Sequence, residues 1–385
     1  MEYFLTEQQK TIKDLARRIA EERVLPVRAV LDDKEEFPWD IVRDLASADM
    51  FRVFIPEEYE GLGGGSLELC LVMEELSRAC SGVAVSYAAS ALGSYSITEY
   101  GTEEMKQKYL PLIASGQKLA AFALTESTAG SDATNIKTSA IFEDGVYVLN
   151  GTKQFITNGG EAELYTVVAL TNPEKGIRGA TAFLVEKDAP GFSFGKKEKK
   201  MGIRTSSTRE LVFRNCPVLE ENMIGREGMG FPIVMRLLDR SRPGVGAQAV
   251  GLAQGALEAA VEYARERIQF GHPIISLQAV QLMLADMATA VEAARLLVYG
   301  VARTIDSGAK SFTEESAMAK VFASDMAMKV TTDAVQIMGG AGYMKDYPVE
   351  KMMRDAKITQ IYEGSNQALR TAIAFELRKR KARRE

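Results

Sequence analysis

LQAVQLMLADMATAVEAARLLVYGVARTI, residues 277–305, is the stretch that settles the fold of this chain. Apolar or small residues fall at Leu277, Val280, Leu284, Met287, Val291, Ala294, Val298, Val301 and Ile305, in strict steps of three and four. That spacing draws one continuous seam along a long α-helix. Ala317, Val321, Ser324, Met328, Thr331, Val335 and Met338 repeat it, and Ser311 with Glu314 offers a capping box just before this second helix. Two such helices pack at shallow angles in an antiparallel bundle. Seams of this kind bury core, so they read as scaffold and subunit interface rather than as a cofactor site.

Towards the N-terminus the period changes. GVYVLNG at 145–151 alternates with period two and ends in Asn-Gly, a hairpin signal. Leu164–Leu170, Ala180–Glu186 and Glu210–Arg214 are further short runs between turn residues, so residues 121–225 read as an antiparallel β domain. Before it, segments 7–31, 38–48, 66–79 and 103–115 are rich in helix formers and broken at Pro26, Pro38, Pro56 and a glycine cluster from Gly61 to Gly65. The expected architecture is mainly α with a central β domain: a helical domain over 1–120, a β domain over 121–225 and a helical bundle over 226–385.

Composition narrows the function. Of 385 residues, 46% are hydrophobic and 26% charged, as in ordinary globular domains. Forty-seven basic against 52 acidic residues leave a net charge of −5, which gives no reason to expect nucleic acid. Cys70, Cys80 and Cys216 have no CxxC spacing and read as buried thiols in a reducing compartment. With a single histidine, His272, a zinc site is not expected. No apolar run has transmembrane length and the start, MEYFLTE, lacks a targeting pattern, so the expectation is the cytoplasm, without membrane insertion. The basic run RKRKARRE at 378–385 reads as a solvated tail.

The residue that carries most chemistry is Glu363, within RDAKITQIYEGSNQ at 354–367. It is a carboxylate next to a glycine at the end of an apolar run, preceded by the glycine turn MGGAG at 338–342 and followed by Ser, Asn and Gln. A carboxylate held on apolar surface suits abstraction of a carbon-bound proton, because excluding water raises its proton affinity. Competing motifs fail on context. GFSFG at 191–195 has the serine-hydrolase spacing, but Pro190 precedes it and a lysine-rich run follows, so it reads as a turn. GLGGG at 61–65 and GREGMG at 225–230 miss both the dinucleotide and the P-loop spacings.

Five separate stretches, in order, resemble the acyl-CoA dehydrogenase family over nearly the whole chain. They are LTESTAGSD at 124–132, FITN at 155–158, RIQFG at 267–271, QIMGG at 336–340 and IYEG at 361–364. The resemblance implies an N-terminal helical domain, a middle β domain and a C-terminal four-helix bundle. It also implies FAD, an acyl-CoA substrate and α,β-dehydrogenation to a trans-2-enoyl-CoA, with Glu363 removing the α-proton and flavin N5 taking the β-hydride. By position, Leu124, Thr125, Ser131, Phe155 and Thr157 would lie along the flavin. Arg267, Phe270, Gln336 and Gly340 would reach the adenosine diphosphate of a neighbouring subunit's FAD, which implies an oligomer, expected as a homotetramer. Ser365 and Gln367 would complete the FAD site. Ser131 would also meet pantetheine, and Arg242 would assist CoA binding.

The acyl pocket is expected around Tyr87, Ser94, Tyr95, Thr98 and Leu238. No Lys or Arg occurs between Arg78 and Lys106. Glutaryl-type members of the family carry an arginine there, so the resemblance disfavours a dicarboxylic acyl chain. It leaves short or medium straight, branched and alicyclic chains, with a short or branched one favoured. Departures from the family pattern are Ser127-Thr128 after the first Glu, Phe155 where Trp is common and Ser365 for Thr. Ser241 occupies the place where some branches carry the base, and a serine cannot serve there. Electrons are expected to pass to electron-transfer flavoprotein. The alternatives are an enoyl-CoA reductase of the same fold, a flavin monooxygenase or nitroalkane oxidase relative (which Glu363 argues against), and a non-enzymatic helical assembly protein.

Overall fold

The protein is described by a computed structural model covering residues 3–382. Its first part is helical: α1 (Glu7–Ile19, extended by a π turn over Ala20–Val24), α2 (Arg28–Lys34), α3 (Trp39–Ser47), α4 (Ser66–Ala79), α5 (Ser81–Tyr100) and α6 (Glu103–Ala114). Thr6 and Gln9 form a reciprocal capping box on α1, and the Asp306 carboxylate accepts the Ser66 and Leu67 N–H groups at the start of α4 at 2.6 and 2.9 Å. The sequence segments pass over α5. Its residues SGVAVSYAASALGSYSITEY are buried almost all round, so it has no polar face to give it a period.

The middle is one eight-stranded sheet: β1 (Ala120–Ala123), β2 (Ser139–Glu143), β3 (Val146–Thr157), β4 (Leu164–Leu170), β5 (Ala180–Glu186), β6 (Phe192–Lys197), β7 (Thr208–Leu219) and β8 (Met223–Ile224). The order is β6-β7-β3-β2-β4-β5-β8, with β1 also paired to β4. The sheet is mixed rather than purely antiparallel, because β1 and the first residue of β2, Ser139, both pair parallel with β4. Asn150-Gly151 is not the hairpin turn. That turn is Asp144-Gly145, with φ of 49° and 90°, and Gly151 lies inside β3 at a register shift against β7. There φ is 149° and an added Cβ would come within 2.5 Å of Thr138 Oγ1 and 2.7 Å of its Cα. Gly151→Ala is therefore expected to cost about 1–3 kcal/mol, read from thermal unfolding. The GFSFG stretch is only briefly a turn: Gly191 has φ 74°, and Phe192 to Gly195 then form the edge strand β6.

The C-terminal part comprises α7 (Gly230–Glu266), a short hairpin of β9 (Ile268–Gln269) and β10 (His272–Pro273), α8 (Gln278–Asp306), α9 (Thr313–Met338), α10 (Val349–Thr359) and α11 (Asn366–Ala382). Helices α7, α8 and α9 pack on one another, α10 packs on α7 and α9, and α11 packs on α9. The seam of α8 is buried from Leu284 to Val301, with Leu277, Val280 and Ile305 partly exposed at its ends. Ser311 does not cap α9: the helix begins after Phe312, with no side-chain cap bond. Residues 378–382 of the basic run continue α11, and 383–385 lie outside the described residues. Helix α4 packs against α1, α5, α7 and α8, so one core runs from the N-terminal helices through the sheet into the bundle. All three cysteines are buried and unpaired. Among the described residues, no helix is long and apolar enough to cross a membrane.

Candidate active site

A cavity of about 430 Å³ lies where α4, α5, the sheet, α7 and the loop before α11 meet. Leu69 and Met73 of α4, Val85, Leu92 and Tyr95 of α5, Phe122 of β1 and Leu238 of α7 give it apolar walls. Thr125, Ser131, Thr157, Ser241, Arg242 and Glu363 supply its polar points. Glu363 has φ 56° and Gly364 95°, so the carboxylate stands on a left-handed turn that a non-glycine residue adopts only when its surroundings hold it there.

Those surroundings can be named. The Ser241 hydroxyl donates to Glu363 Oε2 at 2.7 Å, and the Arg242 Nε–H donates to the Glu363 carbonyl at 3.3 Å. Lys320 donates to the Gly364 carbonyl at 2.8 Å. The Tyr362 hydroxyl donates to Gln248 Oε1, and Gln248 Nε2 donates in turn to Ser81 Oγ of α5 at 2.7 Å. Glu363 lines the cavity, and among the described residues its backbone N–H has no hydrogen-bond partner. Burial pushes the Glu363 carboxyl above its ordinary range, while the Ser241 hydroxyl, Arg242 and Lys320 pull it back. This is a carboxylate whose proton affinity has been raised towards that of a general base.

Phe155 lines the same cavity with 58% of its surface exposed and φ 59°. The β3–β7 register shifts between Lys153 and Ile156, and this irregularity turns the ring out of the sheet. The segment beside it is set by a buried ion pair. Lys153 Nζ donates to Glu126 Oε1 at 2.7 Å and to the Leu124 carbonyl at 3.0 Å. The Glu126 carboxylate also accepts the N–H groups of Lys137 and Thr138 at 2.6 and 3.0 Å. Burial drives the Lys153 ammonium down to about 8 against the pull of Glu126. Burial also opposes ionisation of Glu126, but Lys153 and the amide donors hold its carboxyl below the usual range. An exposed aromatic face, a polar rim and a fixed loop suit a planar, partly polar ring system such as a flavin.

The structure sorts the sequence candidates. Leu124, Thr125, Ser131, Phe155, Thr157, Tyr95, Leu238, Arg242 and Glu363 all line the cavity. Tyr87, Ser94 and Thr98 do not, because the cavity face of α5 carries Val85, Ala88, Leu92 and Tyr95, at helical spacing. Tyr87 is buried against Phe51 and Phe54 and donates to the Met50 carbonyl at 2.8 Å. Ser94 donates to the Ala91 carbonyl at 2.8 Å, and Thr98 opens onto a separate pocket beside Glu99. Arg267, Phe270, Gln336 and Gly340 are exposed and away from the cavity, Phe270 in the β9–β10 turn with φ 53°. Ser365 accepts the Ala368 N–H at 3.2 Å and caps α11, and Gln367 is exposed on its first turn.

Arg242 is bonded within the protein, to Asp239 and to the Glu363 carbonyl, and Asp239 is held by Thr313 Oγ1 at 2.5 Å. Sequence reasoning missed Leu69, Met73, Lys153, Lys320 and the part played by Ser241. A Leu and a Met four apart on a helix that is buried along most of its length, or a lysine inside a strand, carry no local signal of a site. Among the described residues no cluster of His, Cys, Asp and Glu is placed to hold a metal ion.

The chain matches the acyl-CoA dehydrogenase N-terminal domain over residues 6–117, the middle domain over 121–216 and the C-terminal domain over 228–377. It is 48% identical over 382 residues to an acryloyl-CoA reductase (NADH) of Anaerotignum propionicum, covering 99% of this chain and 97% of that one. Butyryl-CoA dehydrogenase of Megasphaera elsdenii superposes with a TM-score of 0.95 at 46% identity, over 98% of this chain and 100% of that one. A chain in the structure of the electron transferring flavoprotein of Acidaminococcus fermentans superposes with a TM-score of 0.96 at 49% identity, over 98% and 99% of the two chains. With all three domains matched in order around a raised carboxylate and an exposed aromatic face, this chain is an oxidoreductase that belongs to the acyl-CoA dehydrogenase family.

Proposed function

We propose that this enzyme removes the α-proton and β-hydride of a short-chain acyl-CoA to give the trans-2-enoyl-CoA, with Glu363 as the base. The observation that carries the reading is Glu363 itself: a carboxylate raised by burial, steered by Ser241, on a turn whose own N–H is unpaired. That N–H supplies one donor for a thioester oxygen, where negative charge develops as the α-proton leaves. Ser241 holds the carboxylate in one orientation, and the apolar walls exclude water from it. The cofactor is FAD, and the chemistry it supplies when bound is acceptance of a hydride at N5. Leu124, Thr125, Ser131, Phe155 and Thr157 would hold the flavin, and Ser365 and Gln367 would complete its site. Arg267, Phe270, Gln336 and Gly340, all exposed, would hold the adenosine diphosphate across a homotetramer contact.

Tyr95 limits the acyl chain. Its ring lines the cavity, and the Arg240 guanidinium lies behind it at 4.3 Å, bonded to Glu99 Oε1 at 2.5 Å. Arg240 lines a separate pocket, so no cation faces the acyl space from that side and a dicarboxylic chain stays disfavoured. Tyr95→Ala is expected to shift preference from butyryl- towards octanoyl-CoA by roughly tenfold or more in kcat/KM, measured with both substrates. Electrons pass to an electron-transfer flavoprotein, a partner supported by the Acidaminococcus match. Buried unpaired thiols fit the cytoplasm, where thiols stay reduced.

The likeness to acryloyl-CoA reductase favours a second reading, the same chemistry run as reduction. One experiment separates them. Saturated acyl-CoAs from C4 to C8 are mixed anaerobically with the flavoprotein and loss of flavin absorbance is followed. The reduced protein is then mixed with acryloyl- and crotonyl-CoA. Rapid bleaching by butyryl-CoA supports dehydrogenation, reoxidation by enoyl-CoA without such bleaching supports the reductase, and a protein that does neither overturns both.

A further inference from the structure

Lys320 is fully buried on α9, and the chemistry above makes no use of it. Its Nζ donates to the Gly364 carbonyl at 2.8 Å and to Asn366 Oδ1 at 2.9 Å. Asn366 is itself fixed, donating to Ser324 Oγ and Asp325 Oδ1, each at 2.8 Å. Arg242, from α7, donates to the preceding carbonyl, that of Glu363. Two cations from two helices thus hold consecutive carbonyls of one left-handed turn, and that turn carries the carboxylate.

Orienting both carbonyls fixes the peptide planes from which the Glu363 side chain departs. A buried ammonium without an adjacent carboxylate bond is costly, so its retention here asks for a return. We propose that Lys320 is a positioning residue for proton abstraction: it locks the Glu363–Gly364 turn and, as a nearby buried positive charge, favours the ionised form of the base. The inference rests on the assignment of Glu363 as base.

The charged groups around it are few. Glu363 attracts the ammonium, Arg242 of α7 repels it, and Asp325 of α9 attracts it. Burial is the largest influence and brings Lys320 down to about 7. The attraction is mutual, so Lys320 lowers the proton affinity of Glu363. Loss of that charge therefore raises the affinity, and the acidic limb of the rate profile moves to higher pH.

The test is the pH dependence of butyryl-CoA turnover by the FAD-loaded enzyme, for wild type, Lys320→Met, Lys320→Gln, Lys320→Arg and Glu363→Gln. Lys320→Met is expected to keep its flavin spectrum, to lose roughly tenfold or more in kcat with KM little changed, and to show the limb displaced to higher pH. Lys320→Gln keeps N–H donors but no charge, and must show the same displacement even if the Met variant fails to fold. Lys320→Arg, which restores the charge, is expected to bring the limb back. A wild-type limb in the Met or Gln variant, with only a lower melting temperature, overturns the inference and leaves the base in place. Equal rates for wild type and Glu363→Gln would instead overturn the assignment of the base, and this inference with it.

Discussion

Glu363→Gln should retain FAD and acyl-CoA binding and lose turnover by on the order of a hundredfold or more. Glutamine keeps the shape of the side chain and can still accept the Ser241 hydroxyl, now 2.7 Å from Oε2, but it cannot take a proton. The backbone N–H at 363 is unchanged, so binding of the thioester should survive. Stopped-flow flavin bleaching separates the two effects, since loss of binding raises the half-saturating concentration while loss of the base lowers the limiting rate. The same substitution should alter stability with a definite sign. Burial raises the proton affinity of Glu363 in the folded protein, so the native state holds this proton more tightly than the unfolded chain. Its ionisation therefore works against folding above the folded pKa and has no effect below the unfolded value. Melting temperatures should show Glu363→Gln more stable than wild type at pH 8, with the difference shrinking as the pH falls. A difference that grows on acidification would mean that the carboxylate is stabilised by its partners more than burial penalises it.

The second large effect is expected at the Lys153–Glu126 pair. Lys153→Met removes the buried cation at 2.7 Å and leaves Glu126 with two amide donors and no counter-charge. Breaking such a pair from one side costs about 3–5 kcal/mol. The loss should be visible as a lower melting temperature of the flavin-loaded protein and as easier release of flavin, because Lys153 also fixes the carbonyl of Leu124 at the cavity wall. Adding Glu126→Gln should recover part of the stability. The amide removes the orphaned charge, and its one oxygen can accept only some of the bonds to Lys137 and Thr138. A double variant no more stable than Lys153→Met would show that packing, not charge, dominates there.

The two predictions also mark where sequence and structure part. Local patterns were legible: the seams of α8 and α9 follow from side-chain spacing, and β4 and β5 from short apolar runs bounded by turn residues. Features decided by tertiary contact were not. Helix α5 is buried all round and shows no amphipathic pattern, and Asn150-Gly151 is a turn signal that pairing with β7 overrides. The candidate site divides the same way. Glu363 stands out because a carboxylate ends an apolar run. Lys153 and Lys320 look like ordinary strand and helix lysines until the fold encloses them. Tyr87, Ser94 and Thr98 sit on the right helix and the wrong face, an error of direction that only the packing of α5 resolves.

Glu363 is proposed to take the α-proton of a short acyl-CoA. The most direct measurement is the anaerobic rate of flavin bleaching by butyryl-CoA, compared with butyryl-CoA deuterated at the α-carbon. With Glu363 as the base, the wild type bleaches rapidly with formation of crotonyl-CoA and clearly more slowly with the deuterated substrate, and Glu363→Gln shows neither. Bleaching that proceeds at one rate with both substrates and in both proteins would contradict that role.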